Sequence, residues 1–269
     1  MNMSDQRTTD IPDSHENESW IDKVPSWLLN LLSASVALGI WVVIGAIGIK
    51  GIPSPFQVMT TGVEALKSGV LLGDIAASLQ RVLTGMILGV LCAIPVAFTM
   101  GWYRVARAVM EPWIQFLRTV PPIALIPLVV VLFGIGEIPK IMIIFFAAFL
   151  SSIISIYQGV VDTDKTLINA ARVLGASDAD VFRRVVVPAA MPFVFVGIRI
   201  ALAASWSTLV ASELVAAQKG LGYRMQIAGL YFDLPTIYLN IIVIGLFGFI
   251  MDRLLLLSEG RLIGWQERK

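Results

Sequence analysis

Arg199, Trp206 and Glu213 stand seven residues apart in a stretch, 193–218, whose only charges are Arg199 and Glu213. At about 100° per residue, positions seven apart share one face of a helix. An ionised side chain inside hydrocarbon is costly, so both charges must face a bundle interior or a cavity. Their fourteen-residue separation in the chain is about 21 Å along a helix axis, too far for them to pair with each other. Each therefore needs a partner on another helix or on a second subunit. Two kinds of chemistry are open to them. They can contact a moving solute or proton, with Glu213 near an outer gate and Arg199 near the inner end. Or they can be structural locks in satisfied networks. Trp206 and Ser207, on the same helix, are better placed in type to line a path.

A second constellation is Arg118-Thr119-Val120-Pro121-Pro122, with Pro127 beyond it. Proline removes a backbone donor and clashes with the preceding turn, so a helix here must kink or open. Freed carbonyls within a membrane persist only when they face protein or a water-filled cavity. Arg118, Pro121 and Pro122 are thus candidates for a pathway wall or hinge; a static kink is the alternative. Other chemistry is excluded by composition. The one histidine, His15, lies in a polar tail, and the one cysteine, Cys92, lies in an apolar run where packing is expected. No metal-ligand cluster and no histidine-based catalytic set can be assembled. No G-x-x-x-x-G-K-[ST] occurs; the pair Gly220 and Gly222 before Tyr223 is a turn and not a phosphate loop. A pump built on this chain must leave nucleotide chemistry to another protein.

These residues have to be held by a membrane bundle. Of 269 residues 57% are hydrophobic and only 14% charged, against about a quarter charged in soluble domains. A net charge of +1 excludes nucleic acid as a partner class. Apolar runs at 28–49, 82–103, 119–136, 141–161, 193–218 and 234–251 are each near the roughly 20 residues that span a bilayer. They lack the alternation of barrel strands. The expected fold is all-α and polytopic, with six transmembrane helices. With the N-terminus inside, 13 lysines and arginines fall on the cytoplasmic side and 6 outside, Arg81 and Lys140 among the latter. The excess places both termini in the cytoplasm. The outer segment 51–81 begins with a proline-bounded turn and continues as an amphipathic helix along the interface. Small residues, including Gly85 and Gly89, allow close helix packing, within one subunit or at a seam between two.

The stretch 164–188 is polar yet lies between two apolar runs. Asp164 can cap a first short helix, and Gly175 suits the left-handed corner after it. Ser177, with Asp180 three residues on, can cap a second. Each reads as roughly ten residues, about 15 Å and too short to span. The result is a cytoplasmic helical knuckle that a partner could grip.

That knuckle resembles the EAA loop of ABC-transporter permeases. Asn169-Ala170-Ala171, then Gly175-Ala176, then Val185-x-Val187-Pro188 keep the register of that pattern, with Asn169 where the pattern has Glu and Val185 and Val187 where it has Ile and Leu. Arg118 to Pro122 and the run Trp206 to Leu214 are similar to permeases for taurine, alkanesulfonates and nitrate, and closest to the taurine permease. The resemblance covers about 72–265. It implies the type I importer fold in a bacterial inner membrane. It also implies that Asn169, Ala170, Ala171, Gly175, Ala176, Asp180 and Pro188 couple to an ATPase, and that Gly220, Gly222 and Tyr223 lie where an external binding protein docks. The implied partners are two ATPase subunits, a second permease copy, the binding protein and the lipid bilayer. ATP and Mg belong to the ATPase, with no cofactor on this chain. The implied division is a polar cytoplasmic tail at 1–26, a first helix and outer segment at 27–71, a transport core at 72–257 and a cytoplasmic tail at 258–269. The rival reading is a secondary transporter driven by an ion gradient, with Arg199 and Glu213 as relay groups.

Overall fold

In hydrocarbon a chain must satisfy its own backbone polar groups, and a helix does so within one segment. All regular structure among the described residues is accordingly helical. The structure, a computed structural model, describes residues 25–262. Residues 1–24 of the 1–26 tail, with His15, and residues 263–269 of the 258–269 tail lie outside that range.

The chain forms two units that divide at Pro55. The first contains α1 (Ser26–Ile47), which closes on Gly48 in the left-handed conformation, φ 73°. In the turn that follows, the Trp41 indole donates to the Pro53 carbonyl at 3.0 Å.

The second unit starts at Phe56, one residue into α2 (Pro55–Lys67). The single amphipathic helix expected across 51–81 is broken after α2, where Gly69 has φ 74°. Its later half belongs to α3 (Val70–Trp102), a 33-residue helix. Nothing between 70 and 82 interrupts the backbone, so the span expected at 82–103 starts twelve residues earlier. Arg81, counted above as an outer loop charge, is 4% exposed inside that helix. Cys92, expected to pack, is exposed on it.

A proline pair breaks the next segment. After α4 (Arg104–Thr119), Val120 and Pro121 are both extended, at ψ 114° and 130°. A residue before proline is pushed out of the helical region, and here two successive residues precede one. The chain resumes as a 3-10 turn (Pro122–Leu125) and α5 (Ile126–Phe133), bent by 89° from α4. The third span expected at 119–136 is therefore no single helix. Pro127 starts α5 rather than kinking it.

Next come α6 (Glu137–Val161) and α7 (Lys165–Val173). α8 (Asp178–Val181) passes through a π turn (Phe182–Val186) directly into α9 (Val187–Ala216). The second knuckle helix, expected to be separate, is thus the first turn of the fifth span. Pro188 has no N–H to give the Arg184 carbonyl, and the backbone accommodates this by the wider turn ahead of it. α10 (Leu221–Leu230) and α11 (Leu234–Leu262) are the last of the described elements. Among the described residues, five helices are long and apolar enough to cross a membrane, or six if the bent α4–α5 pair counts as one broken span.

α3, α6 and α9 pack as a central trio. One core cluster lies around Val82, Ile144 and Leu209. A second lies around Ala97, Ile156 and Val194. Gly85 and Gly89 set the α3–α6 approach, inside one subunit. A Cβ on Gly89 would lie 2.8 Å from the Phe145 carbonyl oxygen and 3.0 Å from the Phe149 amide nitrogen, which are fixed backbone atoms. Gly89→Val should therefore cost about 1–3 kcal/mol by overpacking. Gly73→Ala, in open space, should stay within about 0.5 kcal/mol. Thermal unfolding of both variants in detergent checks the contrast, and equal midpoints would refute the close-packing role.

Candidate functional site

The knuckle is built from local signals. The Asp164 carboxylate accepts the Thr166 amide at 2.7 Å. That hydrogen bond holds the Asp164 carboxyl below the ordinary aspartate value. The cap is present above the usual aspartate pKa and fails only as pH falls through the depressed one. At the other end Gly175 has φ 83°. Its amide bonds the Arg172 carbonyl, and the Ala176 amide bonds the Ala171 carbonyl, both at 3.0 Å. These paired bonds form a Schellman corner. Ser177 then accepts the Asp180 amide at 3.2 Å and donates to the Asp180 carboxylate at 2.5 Å. Ile168, Ala171 and Ala176 pack inward on the second core. Asn169, Ala170 and Gly175 stay exposed. Val173 and Leu174 are each 87% exposed, and Leu167 is 53% exposed. Pro188 is half-buried at the start of α9.

A groove of about 670 Å³ runs between the proline break, α6 and α9. Arg118 and Pro122 line it, with Ser151, Ser155 and Gln158 of α6 opposite. Those three polar residues are spaced four and three apart within an apolar run, a signal the sequence reading passed over. Pro121 and Ser207 are exposed, and the Ser207 hydroxyl donates back to the Ala203 carbonyl at 3.1 Å. Trp206 lies on another face of α9, 6% exposed, in the first core. Arg199 donates to Asp252 of α11 at 2.8 Å, so its partner is on another helix.

Glu213 is fully enclosed. It belongs to a polar cluster that ties together α3, α6, α9 and α10. Asp74, Ser78 and Arg81 lie on one face of α3, at i, i+4 and i+7. Arg81 Nη1 donates to Glu213 Oε1 at 2.6 Å and to the Lys219 carbonyl at 2.7 Å. Its Nε and Nη2 fork onto the Glu137 carboxylate, the latter at 2.8 Å. Lys140 adds a contact to Glu137 at 2.9 Å. The Ser78 hydroxyl donates to Glu213 at 2.8 Å and accepts the Leu221 amide at 2.9 Å. The Gly222 amide donates to Glu213 at 2.7 Å, and the Gly220 amide to Asp74 at 2.9 Å. Arg224 completes the set on Asp74 at 2.8 Å. Three carboxylates thus meet three cations, and the Gly220 and Gly222 amides that open α10 donate to negative charge, which the helix dipole favours.

This cluster changes how Gly220 and Gly222 are understood. Both are buried. Gly220 has φ 131°, and a Cβ there would overlap the Glu213 carboxylate. A Cβ on Gly222 would lie 3.0 Å from the Val210 backbone. They are glycines because α10 must approach α9, and at Gly220 because the backbone also takes a positive φ; Tyr223 beside them is half-buried.

A broken span, an exposed knuckle and a charge cluster at the far end of one three-helix core make up the architecture. The sequence model for the inner membrane component of binding-protein-dependent transport systems matches residues 85–264. The chain belongs to this family. A probable ABC transporter permease protein of Brucella abortus is 57% identical over 240 residues, covering 89% of this chain and 96% of the relative. The taurine transport system permease protein of Escherichia coli is 36% identical, covering 88% and 89%. A chain from inward-facing structures of the MetNI methionine ABC transporter superposes with a TM-score of 0.58 at 18% identity, covering 74% of this chain and 97% of that one. The fold is that of a type I importer permease, and the permease is a multi-pass inner-membrane protein.

Proposed function

We propose that this permease forms half of an ATP-driven import path for a small organic solute bearing an anionic group, of which taurine or a related sulfonate is the leading member. The observation that carries the reading is α7. It is capped at both ends, rigidly cornered, and presents Leu167, Val173 and Leu174 to solvent between two spans. Exposed apolar side chains on a polar, structured projection fit a protein groove. An ATPase subunit gripping Asn169, Ala170, Gly175 and the adjoining turns would move α8, and α9 follows because the two are one helix. Asp180 and Pro188 lie on that connection. Two ATPase subunits, holding ATP and Mg, act on two permease copies. The cytoplasm holds the knuckle and both termini, and a binding protein delivers solute at the opposite end.

The groove at Arg118, Pro122 and the α6 serines is the path wall, with Ser207 farther along the exposed face of α9. Trp206 and Glu213 act from behind it, fixing the angle of α9. Switching access from 1:99 to 99:1 needs a bias of about 5.5 kcal/mol between the two states. ATP closure of the ATPase pair supplies it. The gradient-driven alternative gains nothing from the geometry, since Arg199 and Glu213 are each engaged by an opposite charge.

The test is reconstitution in proteoliposomes with a cognate ATPase and binding protein from the same organism, following radiolabelled taurine. Uptake should require all three proteins and ATP. Uptake by the permease alone, driven by a proton or sodium gradient, would overturn the proposal.

A further inference from the structure

The Arg81 cluster opens onto a cavity of about 490 Å³, lined by Gln80, Arg81, Glu137, Lys140, Gln218 and Lys219. That volume lies within the usual range of ligand pockets, about 300–1,000 Å³. Its cations and its anion are held very differently. The Arg81 and Lys140 side chains are 5% and 4% exposed, and Arg81 stays anchored through Nη1 on Glu213 and the Lys219 carbonyl. The Glu137 side chain is 56% exposed at the first turn of α6, and its oxygens hold the free edge of the Arg81 fork and the Lys140 ammonium. Glu137 can leave for water without unpacking anything. Arg81 and Lys140 cannot.

We infer that this cavity is a receiving site for a small oxyanion, a sulfonate or carboxylate, which displaces the Glu137 carboxylate from Arg81 and Lys140. The planar edge of a guanidinium matches two oxygens of such a group, and the ammonium adds a third contact. Lys219 at the rim draws anions in. Glu137 is the resident stand-in: it keeps the buried cations paired while no solute is present. Cations find no site of their own there. The side of the membrane follows from the proposed function, on which this inference rests. The knuckle follows the C-terminus of α6 and Glu137 opens its N-terminus, 25 residues away and about 37 Å along the axis. With the knuckle in the cytoplasm, the cavity faces the side where solute is delivered.

The test uses the full chain in lipid nanodiscs. An environment-sensitive dye sits on Ile135→Cys, exposed at the cavity rim, in a Cys92→Ser background. Ethanesulfonate and acetate should each give a saturating response, and tetramethylammonium at equal ionic strength none. Glu137→Gln removes the internal competitor and should tighten ethanesulfonate at least tenfold. Lys140→Gln should weaken it at least tenfold. A response that does not saturate, a response to the cation, or unchanged affinity in Glu137→Gln would overturn the site. The titration of the unvaried cluster decides by itself if either variant fails to fold. Capture of the ATPase by the same nanodiscs scores the importer reading separately. Capture without anion response refutes this site alone, and anion response without capture supports the site while refuting the importer.

Discussion

Arg81→Met should lower the stability of the permease by about 3–5 kcal/mol, the cost of stranding a buried charge. The loss is large because one guanidinium serves three acceptors on three elements: Glu137 at the start of α6, Glu213 of α9 and the Lys219 carbonyl. Glu213 is fully enclosed and keeps only the Ser78 hydroxyl and the Gly222 amide. Those donors cannot neutralise it, so it must take up a proton or open the junction to water. Arg81→Lys should lose less, because an ammonium keeps the charge but lacks the planar fork. The double variant Arg81→Met with Glu213→Gln should recover part of the loss, since no buried charge is then unpaired. Thermal unfolding in detergent reads all three. A loss under about 1 kcal/mol for Arg81→Met would place the pair among exposed salt bridges of little worth and refute the buried lock.

Gly175→Val should leave membrane insertion intact and reduce ATP-driven uptake at least tenfold, with ATP hydrolysis continuing. The position has φ 83°, and no atom lies within 4 Å of where a Cβ would stand. Crowding is therefore no obstacle, and backbone strain is the whole effect. A β-branched residue in the left-handed region is a genuine outlier, and the strain there is about 1–2 kcal/mol even for ordinary side chains. The Schellman bonds from Gly175 and Ala176 would loosen, and α7 would lose its fixed angle to α8. The corner lies between the spans, so membrane insertion should persist and the unfolding midpoint should fall by no more than this strain accounts for. Gly175→Asn, which tolerates the left-handed region better, should retain most uptake. Normal uptake in Gly175→Val would remove the rigid corner from the mechanism.

The knuckle was legible because its signals are local. Asp164 and Ser177 cap helices within three residues of themselves, and Gly175 closes a turn it belongs to. The break at Pro121-Pro122 was legible for the same reason, as were the apolar runs. The charge cluster was not. Arg81 finds Glu137 and Glu213 at separations of 56 and 132 residues, and Arg224 finds Asp74 across 150. Read along the chain, Arg81 and Lys140 look like loop charges that bound a span. Only packing of α3, α6 and α9 shows that they lie inside. Gly220 and Gly222 were legible only in part. Gly220, at φ 131°, does use the backbone freedom of a turn glycine, but only the packed structure shows that close approach to Glu213 and Val210 also requires both. The continuity of α8 into α9 was hidden because Ser177, Asp180 and Pro188 carry boundary signals, yet the wider turn at Phe182–Val186 absorbs the missing Pro188 amide and the helix runs on.

That continuity restricts how the gene can change. From Asp178 to Leu214 the chain reads as one rod of 37 residues. Adding or deleting a single residue anywhere in it would turn everything downstream by about 100°. Glu213 would swing away from Arg81, and the corner at one end would no longer be in phase with the junction at the other. Length variation should therefore be confined to the connecting loops and the chain ends, while the rod is counted residue by residue.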